Sequence, residues 1–389
     1  TPWIVRHYTS SCQCVFSPQL EFIMKLDKVQ ISQFRNIESA TIYPSPHLNV
    51  VVGQNGSGKS SFLESLHYLG FGRSFRTNKH RSVIQSTHSQ FSVFAECTDN
   101  KNETHKIGLM RNSKDEFLCS INGERSQRLA NLVSYIPVQI FTPQSTDLLL
   151  GSPTQRRRFL DWGLFHVEQS FYDLSIGYAK VLKQRNALLK MQQTGKKIDS
   201  IQLDYWSLQL AIYGEKIDED RQKYISALKL IFKRISEQFL PEFSLEISYN
   251  RGWDKSIDFI SALKEKTTYD SRMGFTSVGI HKADIKIKAD GIIAIERLSR
   301  GQLRMLVAAL QLSQTLHLFE TTNKSGIFLL DDIGAELDLD KRKNFIEALL
   351  ATNTQLFVTA IEKSHLSFVE EYNDKKMFHV EHGHVEEEQ

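Results

Sequence analysis

The chain has 389 residues, 41% hydrophobic and 24% charged, with a formal net charge of +3. That composition is of the ordinary globular kind, and the length exceeds what one core commonly serves, so two lobes are expected. No run approaches the roughly 18 apolar residues of a membrane-spanning helix, and so small a net charge specifies no nucleic-acid partner without a local basic cluster.

Residues 1–23 carry neither a clear period nor the apolar stretch of a secretory signal, whereas Met24 opens a strand-like pattern. The segment is read as an N-terminal appendage, with an over-extended start as one origin and a targeting function as the competing one. Cys12, Cys14, Cys97 and Cys119 lack metal-site spacing and are too few for a disulfide scaffold, so a reducing cytoplasmic location is expected.

From Met24 the apolar positions Leu26, Val29, Ile31 and Phe34 predict a strand ending near Arg35-Asn36, then a second short strand, then the apolar run Leu48-Asn49-Val50-Val51-Val52. Gly53-Gln54-Asn55-Gly56-Ser57-Gly58-Lys59-Ser60 follows it and matches G-x-x-x-x-G-K-[ST] residue for residue. Beyond Ser61, the apolar residues Phe62, Leu63, Leu66 and Leu69 recur at helical spacing. Strand, glycine loop and helix in that order are the context a phosphate-binding loop requires. Gly53, Gly56 and Gly58 let successive backbone N–H groups face one anion, and the helix N-terminus adds partial positive charge. Lys59 is expected to reach the β- and γ-phosphates and Ser60 to ligate Mg²⁺, with Gln54, Asn55, Ser57 and Ser61 completing the nucleotide-binding set. The competing reading is a Gly-rich turn that binds nothing.

A glycine-broken basic turn comes next, Gly70-Phe71-Gly72-Arg73-Ser74-Phe75-Arg76 with Lys79 and Arg81 beyond, either a solvated loop or a phosphate or DNA contact. Residues 91–97, 105–110 and 117–121 predict meander strands, with Asn122-Gly123 as a turn. Val138-Gln139-Ile140-Phe141 predicts another strand running into Thr142-Pro143-Gln144. Past Gly151-Ser152-Pro153 the period changes from two to about 3.6, which sets a lobe boundary there. Helices are expected over Arg156-Arg157-Arg158-Phe159-Leu160-Asp161-Trp162, over 176–189 with Lys180, Lys183 and Arg185, and over about 203–240 up to Pro241. Three consecutive arginines cannot share one helix face, so at least one is expected to pair internally; the basic residues of this helical region as a whole form either a DNA-facing surface or solvated charge with local ion pairs. Leu210, Ile217, Tyr224 and Ile231 stand seven apart with Leu228 and Ile235 between, the pattern of a packed hairpin or bundle seam. Strands are expected again at 243–249 and 284–295.

Leu298-Ser299-Arg300-Gly301-Gln302 opens an apolar helix, and Gly326-Ile327-Phe328-Leu329-Leu330-Asp331-Asp332 has the form of a buried parallel strand delivering acids to its C-terminal edge. Ile333-Gly334-Ala335-Glu336-Leu337-Asp338 follows, and the later strand Gln355-Leu356-Phe357-Val358-Thr359 ends in a hydroxyl. The expected organisation is an appendage at 1–23, an ATPase lobe from 24–150 and 298–389, and a largely helical lobe at 151–297.

The order of these motifs resembles the ATP-binding-cassette class of P-loop ATPases, an α/β fold with a mixed sheet and a helical insertion before L-S-x-G-Q. The resemblance implies that Asp331 holds Mg²⁺ through water, that Asp332 polarises the attacking water, and that Gln144 senses the γ-phosphate. It further implies that Ser299, Gly301 and Gln302 close on the ATP of a second protomer, with Asp338 at the same interface. Thr359 takes the place where many relatives have His. Asp in place of Glu at 332 shortens the reach to the water, which predicts slow turnover suited to a switch.

Within the class the chain from Met24 to near its C-terminus is similar to the RecF family of bacterial DNA replication and repair proteins. The matching stretches are Phe34-Arg35-Asn36, the P-loop with Gly72-Arg73-Ser74-Phe75-Arg76, Arg156-Arg157-Arg158-Phe159-Leu160-Asp161-Trp162-Gly163, Lys183-Gln184-Arg185-Asn186 and Gly279-Ile280-His281-Lys282-Ala283-Asp284. The chain departs from the family at Ile280, where Pro is usual, at Gln144, where an acid is common, and at Ile333-Gly334, which replace bulkier residues. The resemblance implies an ATP-driven homodimer on double-stranded and gapped DNA that works with RecR, and through it RecO, to help RecA load. Other readings are a small-molecule phosphotransferase, which leaves L-S-x-G-Q unexplained, and an SMC-like DNA bridge. A bridge needs a coiled coil of hundreds of residues, whereas 272 residues, strands among them, separate Lys59 from Asp331.

Overall fold

The computed structural model describes residues 24–99, 102–126, 128–336, 338–362, 366 and 369–388. The appendage with Cys12 and Cys14, and Leu337 of the E-L-D stretch, lie outside them. Two compact units result: one continuous, Asp147–Ser299, and one made from the segments up to Thr146 and from Arg300 onward.

In the discontinuous unit, β1 (Lys25–Phe34), β2 (Ile37–Ile42) and β3 (Leu48–Val52) lead through the glycine loop to α1 (Lys59–Phe71). The strands β4 (Gln90–Thr98), β5 (Thr104–Asn112), β6 (Phe117–Ile121) and β7 (Glu124–Ser126) precede α2 (Leu129–Tyr135) and β8 (Val138–Phe141). The continuous unit contributes α3 (Asp147–Leu150), α4 (Pro153–Val167), α5 (Phe171–Gln193), α6 (Ser200–Phe239), β9 (Leu245–Asn250), α7 (Phe259–Met273), β10 (Asp284–Ala289), β11 (Ile292–Ile293) and α8 (Ala294–Arg297). The first unit resumes with α9 (Arg300–Thr322), β12 (Ile327–Leu330), α10 (Ile333–Glu336), α11 (Leu339–Leu350), β13 (Gln355–Ala360), β14 (Lys375–Glu381) and β15 (His384–Glu387).

Two six-stranded sheets build the discontinuous unit. One is antiparallel in the order β2-β1-β4-β5-β6-β7; the other runs β15-β14-β3-β13-β12-β8 and is parallel except for the β14–β15 hairpin. In β3, β12 and β13 every residue is buried, as strands covered on both faces require, which explains continuous apolar runs in place of alternation. One core cluster takes residues from both sheets and from α1, including Val29, Phe34, Phe62, Leu66, Phe91, Leu329 and Phe357. Parallel pairing of β3 with β13, β13 with β12 and β12 with β8 brings their carboxyl ends to a common edge, where open α/β sheets place their ligands.

The continuous unit is a helical bundle edged by the small antiparallel sheet β11-β10-β9. The seam residues Leu210, Ile217, Tyr224, Leu228, Ile231 and Ile235 are buried along the 40-residue α6, which packs on α5 and α7. The expected strand at 284–295 is instead a hairpin followed by a helical turn. Asp290 and Gly291 both take positive φ, 51° and 80°, and reverse the chain between β10 and β11, the preference of an Asp-Gly turn.

The basic residues of this unit divide sharply. Arg185, one of the basic residues left above as either DNA-facing or locally paired, is fully buried and donates to Asp270 Oδ2 at 2.9 Å, Thr276 Oγ1 at 2.7 Å and Ser207 Oγ at 2.9 Å. It ties α5 to α6 and α7, because a buried cation is costly unless it is paired and hydrogen-bonded. Arg221 donates to Asp161 at 2.7 Å and to the Ile280 carbonyl at 2.9 Å. In the triple-arginine run, Arg156 makes a two-pronged pair with Asp284 and Arg157 donates to the Ala283 carbonyl, so at least these two are bonded within the unit.

Candidate nucleotide-binding site

The glycine loop sits at the edge just described because β3 ends there and α1 begins. A Cβ on Gly53 would lie 2.3 Å from the Val380 carbonyl oxygen, and Gly58 has φ 125°, so side chains are excluded at both positions. The loop is braced from behind: Asn36 Nδ2 donates to the Ser57 carbonyl at 3.1 Å and the Gly383 N–H donates to the same oxygen at 2.8 Å. Gln54, Asn55 and Gly56 are exposed at its rim, whereas Lys59 and Ser61 are 7% exposed.

Lys59 Nζ turns back to donate to the carbonyls of Gly53 at 2.6 Å and Gln54 at 3.0 Å. Burial holds its ammonium below the usual range, with Asp332 and Asp331 offsetting part of that effect. Ser60 Oγ donates to Asp331 Oδ1 at 3.0 Å, so the two expected Mg²⁺ ligands stand side by side. Burial pushes the Asp331 carboxyl up, and the hydroxyls of Thr359 and Ser60 act against it.

Thr359 is wholly buried on β13 beside β12. Its hydroxyl donates to Asp331 Oδ1 at 3.0 Å and accepts the Asp332 N–H at 2.8 Å. Asp332 takes φ 52°, an unfavourable conformation for a residue with a Cβ, and that second bond holds it there. Asp332 Oδ1 and Ser57 Oγ are buried without a hydrogen-bond partner among the described residues, and buried polar atoms of this kind call for an external partner.

Two supports escaped the sequence reading. Glu64, fully buried on α1, accepts from Arg35 at 2.8 and 3.0 Å and from Ser74 Oγ. Ser74 Oγ accepts the N–H groups of Arg76 and Thr77 at 2.9 Å each. The basic turn after α1 is thus moored to α1, with the half-exposed Arg76 guanidinium 3.8 Å from Glu64. The available signal was a carboxylate within an otherwise apolar helix, five residues past Lys59.

The remaining candidates occupy separate elements. Gln144 is exposed in a short turn after β8, next to β12 in the sheet, with its N–H on Thr142 Oγ1 at 3.2 Å. Ser299 is exposed immediately before α9, and Gly301 and Gln302 lie in its first turn. A Cβ on Gly301 would meet nothing within 4 Å, so packing inside the chain gives no reason for glycine there. Asp338 caps α11 by accepting the Lys341 N–H at 3.0 Å.

A glycine loop between a buried strand and helix, tandem acids just past the end of another parallel strand of the same sheet and a separate L-S-x-G-Q helix together define an ATPase head of the ATP-binding-cassette type. The family model described as "RecF/RecN/SMC N terminal domain" matches residues 25–386. The "DNA replication and repair protein RecF" of Pseudoalteromonas atlantica is 52% identical over 365 residues, 94% of this chain and all of that one. This chain belongs to the RecF family. A solved structure of the recombination mediator protein RecF with ATP, in the RecFOR pathway, superposes with a TM-score of 0.84 at 26% identity, covering 94% of this chain and 98% of that one. An Smc head bound to the C-winged helix domain of ScpA shares the fold at 14% identity, with a TM-score of 0.58 and coverage of 94% and 97%. Among the described residues no helix is long and apolar enough to cross a membrane.

Proposed function

We propose that the protein is an ATP-dependent DNA-binding switch of recombinational gap repair and replication restart, dimerising on duplex DNA near single-strand junctions and helping RecA load together with RecO and RecR. The chain of contacts Ser60–Asp331–Thr359–Asp332 beneath the glycine loop is the observation that carries it. It sets Ser60 beside Asp331, the pair proposed here to hold the metal, and Asp332 Oδ1 is buried without a hydrogen-bond partner among the described residues.

ATP supplies the triphosphate that the loop cradles, and Ser60 and Asp331 are the residues that would hold its Mg²⁺. Lys59 exchanges its two carbonyl partners for the β- and γ-phosphates, and Asp332 orients the attacking water and takes its proton. Gln144 senses the γ-phosphate from the adjacent strand end. Ser299, Gly301 and Gln302 of one protomer close on the nucleotide of the other; the open space at Gly301 supports such an approach. Because each ATP completes the interface, the dimer is stabilised while the triphosphate is intact and weakened after hydrolysis. The division of labour is then an ATPase lobe that reads nucleotide and a helical lobe that meets DNA.

A mobility shift on duplex, single-stranded and gapped DNA with and without ATP tests cofactor and ligand together. Retention of duplex and gapped DNA only with ATP is expected; binding indifferent to nucleotide contradicts the switch. Released phosphate without a phosphorylated small molecule separates it from a phosphotransferase.

A further inference from the structure

The arginines of the helical unit that are named in its sequence motifs are largely committed inward, which leaves another set of cations for DNA. On α5 the buried residues Tyr178, Leu182, Arg185 and Leu189 form one face. Lys180, Lys183, Gln184, Ala187 and Lys190 are all exposed on the other, as spacings of three, four and seven along a helix dictate. Lys196 and Lys197, exposed in the loop that follows, continue the run. From residue 174 to residue 198 the sequence has no Asp or Glu, and among the described residues no carboxylate ion-pairs with any of these five lysines.

Acids gather elsewhere in the unit. Glu215, Asp218 and Glu219 of α6, with Asp258, line an open cavity of about 770 Å³ together with Lys223 and Arg251, and there the cations are paired, Lys223 with Glu219 at 2.7 Å and Arg251 with Asp218 at 3.8 Å. The α5 face is therefore cationic with no carboxylate ion-paired to its lysines among the described residues, a surface that favours a polyanion. Lys180 to Lys190 spans about 15 Å at 1.5 Å per residue, the length of roughly four to five base-pair steps measured along a duplex axis. The small Ala187 between them leaves room for a backbone to lie close.

We propose that the outward face of α5, through Lys180, Lys183 and Lys190 and then Lys196 and Lys197, is the surface on which the helical unit tracks a DNA phosphate backbone without reading sequence. This rests on the DNA-binding function proposed above. Each lysine neutralises one phosphate, releasing a counterion, and contributes about −0.9 to the log–log slope of affinity on salt.

The test compares the wild type with Lys180→Gln/Lys183→Gln/Lys190→Gln and with a control, Lys216→Gln/Lys229→Gln/Lys233→Gln, on exposed positions of α6. Binding of a fluorescent 30-base-pair duplex is measured from about 50 to 300 mM salt with ATP present, a range over which phosphate contacts dominate the salt response. The α5 variant should give a slope shallower by about 2.7, with ATP-analogue affinity and thermal midpoint unchanged, while the α6 variant keeps the wild-type slope. An unchanged slope in the α5 variant beside intact wild-type binding overturns the α5 assignment alone. A wild type that binds no DNA under any nucleotide condition overturns the underlying function and this surface with it. Equal loss in both triple variants also overturns the assignment, since it reports net charge only.

Discussion

Replacing Thr359 by Val keeps the volume and removes one hydroxyl, which isolates what that group does. The hydroxyl donates to Asp331 and accepts from the Asp332 N–H. Its removal leaves a buried N–H without a partner, a loss of about 1–3 kcal/mol, and deprives the Asp331 carboxylate of one of its two hydroxyl donors. The hydrogen bonds of that hydroxyl go to residues 330–332 and not to the glycine loop, so nucleotide affinity should change less than about twofold. Misplacement of Asp332, freed from its φ of 52°, should lower kcat for ATP hydrolysis by about ten- to a hundredfold, equivalent to about 1.4–2.7 kcal/mol. Thr359→Ser retains the hydroxyl and should recover most of the rate. Phosphate release under saturating ATP, with the dissociation constant of a fluorescent ATP analogue measured separately, gives the split. Wild-type kcat in Thr359→Val, or equal loss in the Ser and Val variants, would refute the clamp.

Lys59→Ala should weaken ATP binding by about 1.5–3 kcal/mol, because charge-assisted contacts to the phosphates are lost; calorimetry showing unchanged affinity would remove the loop from the site. Arg185→Met should destabilise the helical unit by about 3–5 kcal/mol, since Asp270 is left buried without its cation, and a denaturant midpoint equal to wild type would contradict that role. Burial pushes His281 down to about 4, and its ring accepts from the Tyr178 hydroxyl and donates to the Thr276 carbonyl. The folded state therefore stays neutral where an unfolded histidine, titrating near 6.5, is protonated, so stability drops as pH falls from about 6.5 toward 4, by up to about 3 kcal/mol. His281→Gln should flatten that acid limb in thermal melts across the pH range; a limb of undiminished steepness would exclude His281 as its source.

What was legible in the sequence follows from how local the chemistry is. A phosphate loop is built from eight consecutive residues, and tandem acids at the end of an apolar run need no knowledge of neighbours, so both motifs stood out, as did the turn at Asn122-Gly123, where both residues take positive φ. Arg185 did not, because its partners at 207, 270 and 276 are separated from it by long stretches of chain; in sequence a buried cation and a DNA-facing one look alike. Thr359 was assigned by analogy to a place where relatives carry His. Its observed contacts depend on the β12–β13 register, Leu330 opposite Val358, which no single segment encodes. The Asp290-Gly291 turn was present in the sequence but obscured by the apolar alternation on either side of it.

The account depends above all on ATP joining two copies of the chain. Sedimentation velocity of the wild type and of Ser299→Arg, each with and without ATP and Mg²⁺, measures this directly. A monomer that becomes a dimer only with nucleotide, in the wild type but not in Ser299→Arg, is the predicted result. Monomers under every condition, or dimers in Ser299→Arg as abundant as in the wild type, would contradict it.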